Sequence, residues 1–398
     1  MDKDQRKSRI PFLIGLVSAP SVCATLCTPA FPAMDAHFGG GIAMGNISLV
    51  IYLLGGTLGQ LIYGPLSNNY GRQGALLFGL CLAVAGAVAS FLLGLWDAAI
   101  WFLFSRFITG IGIAVCFVLT FAMISDTFTV EEARKVVPIV SGAFAVIPYA
   151  AVMLGGIFVE KFGWRSCFFL LAMHYTLLLV WALAYSGISS GANRIYSSYR
   201  QILSGYFDAF ADVKFLLYCS LLASTTFVIY AYIASAPEIM IVTFDLAPQS
   251  YGYVALGISF SHLLGTIFAR GLAFRINATK VILLGGAILL IVASVLRWHV
   301  ANAPLDFVLF TLLFISAFFA FPLIYSNAIA LAGEAHHDTA IGSAVMNFLN
   351  MVSATLSTVI VLASSGGLAA LVDSITLASI WCLVAVCILG RAMLASNA

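Results

Sequence analysis

Apolar runs of about twenty residues, each closed by a short polar or glycine–proline cluster, follow one another along the whole chain. Twelve are read, at about 11–33, 46–66, 74–95, 98–124, 137–159, 166–187, 213–235, 250–272, 278–300, 304–327, 340–363 and 371–394. A helix rising ~1.5 Å per residue needs roughly twenty such residues to cross the hydrocarbon layer of a membrane. The runs are continuously apolar instead of alternating with polar positions, which excludes a membrane barrel. The pattern predicts an all-α membrane protein with twelve transmembrane helices.

The longest polar interruption, "SGISSGANRIYSSYRQILSGYFDAFADVK" from Ser186 to Lys214, falls at the middle with six spans on either side. It divides the chain into an N-terminal six-helix bundle (1–187), a cytoplasmic linker (188–212) and a C-terminal six-helix bundle (213–398). Within the linker, Tyr196, Tyr199, Ile202, Leu203, Tyr206 and Phe207 recur at the spacing of an amphipathic helix lying on a membrane surface. The halves carry a faint repeat. "GTLGQLIYGPL" in span two aligns with "HLLGTIFARGL" in span eight, so that Gly59 meets Gly265 and Leu66 meets Leu272. Two pseudo-symmetric bundles with a path between them are expected.

Composition sharpens this picture. Hydrophobic residues make up 62% of the chain and charged residues 9%, against about 25% charged in a soluble domain. Lys and Arg are unevenly placed: with the N-terminus inside, fourteen fall in cytoplasmic segments and three outside, with Arg106 within a span. Both termini are therefore expected in the cytoplasm. A net charge of +2 without a basic patch excludes a nucleic-acid partner. The eight cysteines all lie in predicted spans, where they read as small packing residues and not as a disulfide or metal framework. No nucleophile–base set and no metal-ligand cluster is present, so no enzyme, metal or cofactor is expected.

The end of span two and the loop after it, "GPLSNNYGRQG", resemble the loop signature of the major facilitator superfamily, with Gly64, Leu66, Ser67, Gly71 and Arg72 matching in order. The preceding "YLLGGTLGQLIYGPLS" and the turn Pro29-Ala30-Phe31-Pro32 resemble the bicyclomycin- and chloramphenicol-resistance-like branch of the drug:proton antiporters. Further matches are "RFITGIGIA" from Arg106, "SDTFTVEEAR" from Ser125, "GGIFVEKFGWRSCFFLLA" from Gly155, "YIASAPEI" from Tyr232 and "TAIGSAVMNFL" from Thr339. The resemblance covers nearly the full length. It implies the major facilitator fold and a monomeric secondary active transporter, multi-pass in a bacterial inner membrane. Such a protein moves a small organic molecule by alternating access, and the branch implies proton-coupled export of drugs or metabolites.

The chain departs from the family at places that bear on coupling. Asn68 stands at the signature's acid, Asn69 at its base and Gln73 at its closing base. Thr25 occupies the span-one position where the branch often has an acid, and no Asp or Glu lies in the middle of any span. Proton-coupled carriers need an ionisable group in the membrane, which leaves Arg106, His262 and, more weakly, His174. Arg106 is expected about eight residues, ~12 Å, from the outer end of span four, as a contact for an anionic or polar substrate. His336 and His337 read as solvated loop residues.

By the family's architecture, spans one, four, seven and ten line the cavity. The resemblance thus implies Thr25, Thr28, Tyr230, Ser235, Tyr325 and Asn327 as substrate contacts with Arg106, and Tyr149 beside the span-five proline. Asp35, Asn68, Arg72, Asp126 and His262 are the candidates for gating or coupling, with Arg72 paired to Asp126. A cavity with one arginine and no deep acid leaves open a carrier of an anionic or zwitterionic metabolite or a carboxylate siderophore. A transport-silent sensor on the same fold is the alternative of another class.

Overall fold

The computed structural model describes residues 9–184 and 199–396, apart from short gaps at 40, 42, 97, 130, 133–135, 137–138, 141, 143–145, 274, 336–338 and 365–366. The described chain is helical throughout. In order run α1 (Ile10–Leu26), a 3₁₀ turn (Thr28–Ala30), α2 (Phe31–Phe38), α3 (Met44–Leu93), α4 (Ala99–Thr127), α5 (Ile147–Phe162) and α6 (Ser166–Ala184). After the middle of the chain come α7 (Tyr199–Ala211), α8 (Val213–Pro237), a π-helical turn (Glu238–Thr243), α9 (Pro248–Ala273), α10 (Ala278–Asn302), α11 (Phe307–Ala335), α12 (Thr339–Ala363) and α13 (Gly367–Ser396).

Eleven segments among the described residues are long and apolar enough to cross a membrane. The twelfth expected span, 137–159, is described without interruption only as α5, whose 16 residues are too few to count alone. Spans two and three are continuous in α3 except at Gly71, where φ is 80° and ψ 160°. That conformation is strained for any residue with a Cβ, so the glycine of the loop signature is what lets the chain turn between two spans. His336, His337 and the first part of the linker lie outside the described residues. The rest of the linker forms α7.

The helices group into two units: Met1–Tyr196 with Met240–Leu256, and Ser197–Ile239 with Gly257–Ala398. In the first, α3 packs most extensively on α4, through reciprocal glycines. A Cβ on Gly55 would stand 2.2 Å from the Phe107 carbonyl oxygen, and one on Gly110 would stand 2.1 Å from that of Tyr52. Where lipid tails are as apolar as leucine, such close backbone approach supplies the van der Waals contact that holds helices together.

The faint sequence repeat has a structural counterpart. Gly59 lies against Ile111 of α4, and Gly265 lies against the backbone of Phe319 in α11, 2.2 Å from any added Cβ to the Phe319 oxygen. Span two on span four and span eight on span ten thus use the same aligned glycine.

The segment Met240–Leu256 belongs to the first unit for a similar reason. Gly156 of α5 admits the Pro248 carbonyl where a Cβ would stand 2.3 Å away, and Gly252 sits against Met153. The Gln249 amide also donates to Glu160 at 3.1 Å.

Candidate functional site

Arg106 is the largest fully buried side chain among the described residues, 1% exposed, two turns into α4. Its Nη1 donates to the Cys23 thiol of α1 at 3.5 Å. The guanidinium carbon lies 5.1 Å from the centroid of the Tyr52 ring and 5.3 Å from that of Phe168. Its Nε has no hydrogen-bond partner among the described residues. Nearby, Cys167 donates to the Leu26 carbonyl at 3.5 Å, and Tyr52 donates to the Pro20 carbonyl at 2.7 Å.

A guanidinium stays charged in any environment a protein offers. Here the charge is held by two aromatic faces and a thiol, with no carboxylate among the described residues paired to it. One of the cysteines that sequence alone reads as packing residues, Cys23, is thus its hydrogen-bond partner. Phe168 continues into an aromatic group with Trp164 and Phe102.

The position where the family's drug exporters often carry an acid is used structurally. The Thr25 hydroxyl lies 2.8 Å from the Pro148 carbonyl of α5 and 2.9 Å from that of Ser21. It braces α1 against α5 close to where Gly155 meets the Leu26 carbonyl. Thr28 donates to the Thr25 carbonyl at 2.8 Å and lies 3.4 Å from the Tyr251 hydroxyl. Tyr149, beside Pro148, is 7% exposed. Asp35 accepts from the Gly45 amide at 2.8 Å and so caps the start of α3.

Beyond the Gly71 turn, Arg72 donates from Nε to Asp126 at 3.2 Å and from Nη1 to the Ser67 hydroxyl at 2.9 Å. The two charged side chains are 25% and 35% exposed. The Asn68 side chain lies outside the described ones. Of the sequence candidates in this unit, Arg72 and Asp126 meet, and Thr25, Thr28 and Tyr149 line one stretch of α1 and α5. Arg106 meets none of these.

In the second unit, Ser235 is fully buried and its hydroxyl has no partner among the described residues. Asn327 donates to the Leu323 carbonyl at 2.9 Å. His262 encloses a partnerless Nδ1, with its ring 6.4 Å from that of Phe318. Tyr230 and Tyr325 are partly exposed. His174 on α6 likewise has an enclosed, unpartnered Nε2.

Sequence reasoning missed the seam between α8 and α12. Ser353 and Ser357 donate to the carbonyls of Ala223 and Phe227, each at 2.6 Å, and Thr226 donates to Asn350 at 3.1 Å. The signal was present: Asn350, Ser353 and Ser357 recur at three and four residues and so share one face of the helix.

These features define a class first: an all-helical, multi-pass membrane protein, built from repeated close helix crossings and carrying unpaired polar groups inside its spans. Comparison with known proteins then assigns the family. Residues 16–358 match the Major Facilitator Superfamily, and the chain belongs to it.

The chloramphenicol resistance protein CraA of Acinetobacter baumannii is 26% identical over 314 residues, covering 76% of this chain and 74% of that protein. The multidrug resistance protein MdtL of Shewanella oneidensis is 33% identical over 152 residues, covering 38% of this chain and 37% of its own length. Among solved structures, the xylose transporter XylE of E. coli in a partially occluded inward-open conformation superposes with a TM-score of 0.70 at 14% identity, covering 96% of both chains. That likeness speaks for the fold. The protein is a secondary transporter of twelve membrane helices in two six-helix halves, not an enzyme, and it acts on small molecules within a membrane.

Proposed function

We propose that this protein exports an uncharged or zwitterionic drug-like molecule or metabolite from the bacterial cytoplasm, driven by the proton gradient. The observation that carries this reading is the likeness, along about three quarters of both chains, to a chloramphenicol resistance protein. The chain acts as a monomer in the inner membrane with both termini in the cytoplasm, the orientation that its Lys and Arg distribution favours. Its halves divide at the polar linker 188–212.

In this reading the substrate contacts are Thr25, Thr28, Tyr149, Tyr230, Ser235, Tyr325 and Asn327. Arg72 with Asp126, beside Asn68, forms a gate at the cytoplasmic ends of spans two to four. Asp35 orders the opposite end of span two. His262, enclosed and without a partner on Nδ1, is the group that exchanges the coupling proton. Arg106, enclosed by rings and thiols, contributes a fixed positive potential. A cation is repelled by that potential, which disfavours lipophilic cations as cargo.

The test is chloramphenicol accumulation in efflux-deficient bacteria with and without the protein, repeated after an ionophore collapses the proton gradient. Lower accumulation that the ionophore restores is expected. Equal accumulation in both strains, together with unchanged metabolite levels inside and outside the cells, would overturn the export reading.

A further inference from the structure

The stretch Met240–Leu256 packs with the first unit, although the chain on both sides of it, at Ile239 and Gly257, packs with the second. Both crossings fall where the α-helix is interrupted or weakened. The π-helical turn Glu238–Thr243 spans the first. Just beyond it, Asp245 takes a φ of 54°, a left-handed conformation uncommon outside glycine. At the second crossing, Gly257 lies inside α9 with open space where a side chain would stand. A π turn commonly marks a functional site, and a glycine inside a helix weakens it.

Between these points, Pro248–Gly252 is seated on α1 and α5. An added Cβ would stand 2.3 Å from the Pro248 carbonyl oxygen at Gly156, and 2.7 Å from the Met153 Cα at Gly252. Thr28 spends its single proton on the Thr25 carbonyl at 2.8 Å, so the Tyr251 phenol, 3.4 Å away, is the donor between them. That separation is long for a hydroxyl pair. The exposed Glu160 carboxylate accepts from the Gln249 amide at 3.1 Å. That amide belongs to the first turn of α9, where amides lack partners in their own helix. Tyr251, only 2% exposed, is thus held by a long hydroxyl bond and an exposed cap, both of which water can replace.

We propose that Pro248–Gly252 is a detachable latch, hinged at the π-helical turn and at Gly257, that closes on the outer ends of spans one and five and lifts off them in each transport cycle. Tyr251 and Glu160 are positioning residues: they set the fraction of time that the latch is seated. Its placement on the outer side rests on the proposed orientation of the chain. Its detachment does not.

The experiment uses the full-length protein in lipid nanodiscs, with the exposed Cys81 and Cys387 replaced by serine. Nitroxide labels at Phe162→Cys on the end of α5 and Ser250→Cys on the latch, both exposed positions, report their separation by pulsed electron spin resonance. A seated and a lifted distance are expected. Tyr251→Phe should raise the ratio of lifted to seated roughly two- to fivefold, the low end of the worth of one hydrogen bond. Glu160→Ala should raise it by a similar factor, and Glu160→Gln, which keeps an acceptor, by less. Thr28→Val should match Tyr251→Phe and add nothing to it. A single seated distance that no variant shifts would overturn the latch, as would a lifted distance alone in the wild type. Full additivity of Thr28→Val with Tyr251→Phe would overturn their bond as its fastening.

A second arm treats intact cells carrying Ser250→Cys, in the same serine background, with a membrane-impermeant maleimide. Labelling from outside is expected. Its absence would overturn the outer placement and the orientation reading together, while detachment stands or falls on the spin labels.

Discussion

Arg106→Met separates a functional arginine from a bracing one. Methionine keeps much of the apolar stem and removes the charge. Holding an arginine at the centre of a bilayer costs at least ~2.5–3.5 kcal/mol. Against this stand two aromatic faces, at 5.1 and 5.3 Å, each worth ~0.5–2 kcal/mol, and one 3.5 Å bond to a thiol. The two sides nearly cancel, and no buried carboxylate among the described residues is left stranded by the change. The substitution should therefore move the melting temperature in detergent by only a few degrees in either direction, since ~1 kcal/mol corresponds to about 2–4 °C in a large domain. Discrimination against cationic substrates in proteoliposomes should be lost. A loss of about 10 °C or more with proportionate loss of transport would show the side chain to be a brace, and the functional role would be withdrawn.

Other outcomes follow from the same geometry. Gly110→Leu drives a side chain into the Tyr52 carbonyl, where even a Cβ would stand 2.1 Å away, and should abolish monodisperse elution on size-exclusion chromatography, whereas Gly64→Ala, with open space around it, should elute as wild type. Asp126→Asn removes a partly exposed ion pair worth ~0–1 kcal/mol, so stability should hold while cysteine labelling at the two mouths shows a changed balance of conformations; unchanged labelling would reduce the pair to an ordinary surface contact. His262→Gln should remove the pH dependence of uphill transport and spare exchange of substrate across the membrane, and a retained pH dependence would return this histidine to packing. Thr25→Val removes the bond to the Pro148 carbonyl, costing ~0.5–1.5 kcal/mol, measurable as a lower melting temperature together with weaker substrate binding.

The hydrophobic pattern alone determined that this chain is helical, that it crosses a membrane many times, and that it is built from two halves. The reason is that lipid leaves a spanning backbone few solutions, so length and apolarity carry the answer. The glycines of spans two and four were equally legible, because only that residue permits the backbone approach seen at Gly55 and Gly110, and only it adopts the turn at Gly71. The pairing of Arg72 with Asp126 could be expected from two opposite charges at matching helix ends.

What surrounds Arg106 could not be read. Cys23, Tyr52 and Phe168 come from three other helices, and nothing local in their sequence distinguishes them from ordinary packing residues. Thr25 was visible only as the absence of an acid; its bond to Pro148, 123 positions away, depends on where α5 crosses α1. The bonds from Ser353 and Ser357 to carbonyls of α8 likewise span 130 positions. Asn350, Ser353 and Ser357 were visible on α12 in the sequence, but their partners on α8 were settled only where the two helices cross, because a side chain can bond only what the fold brings within reach.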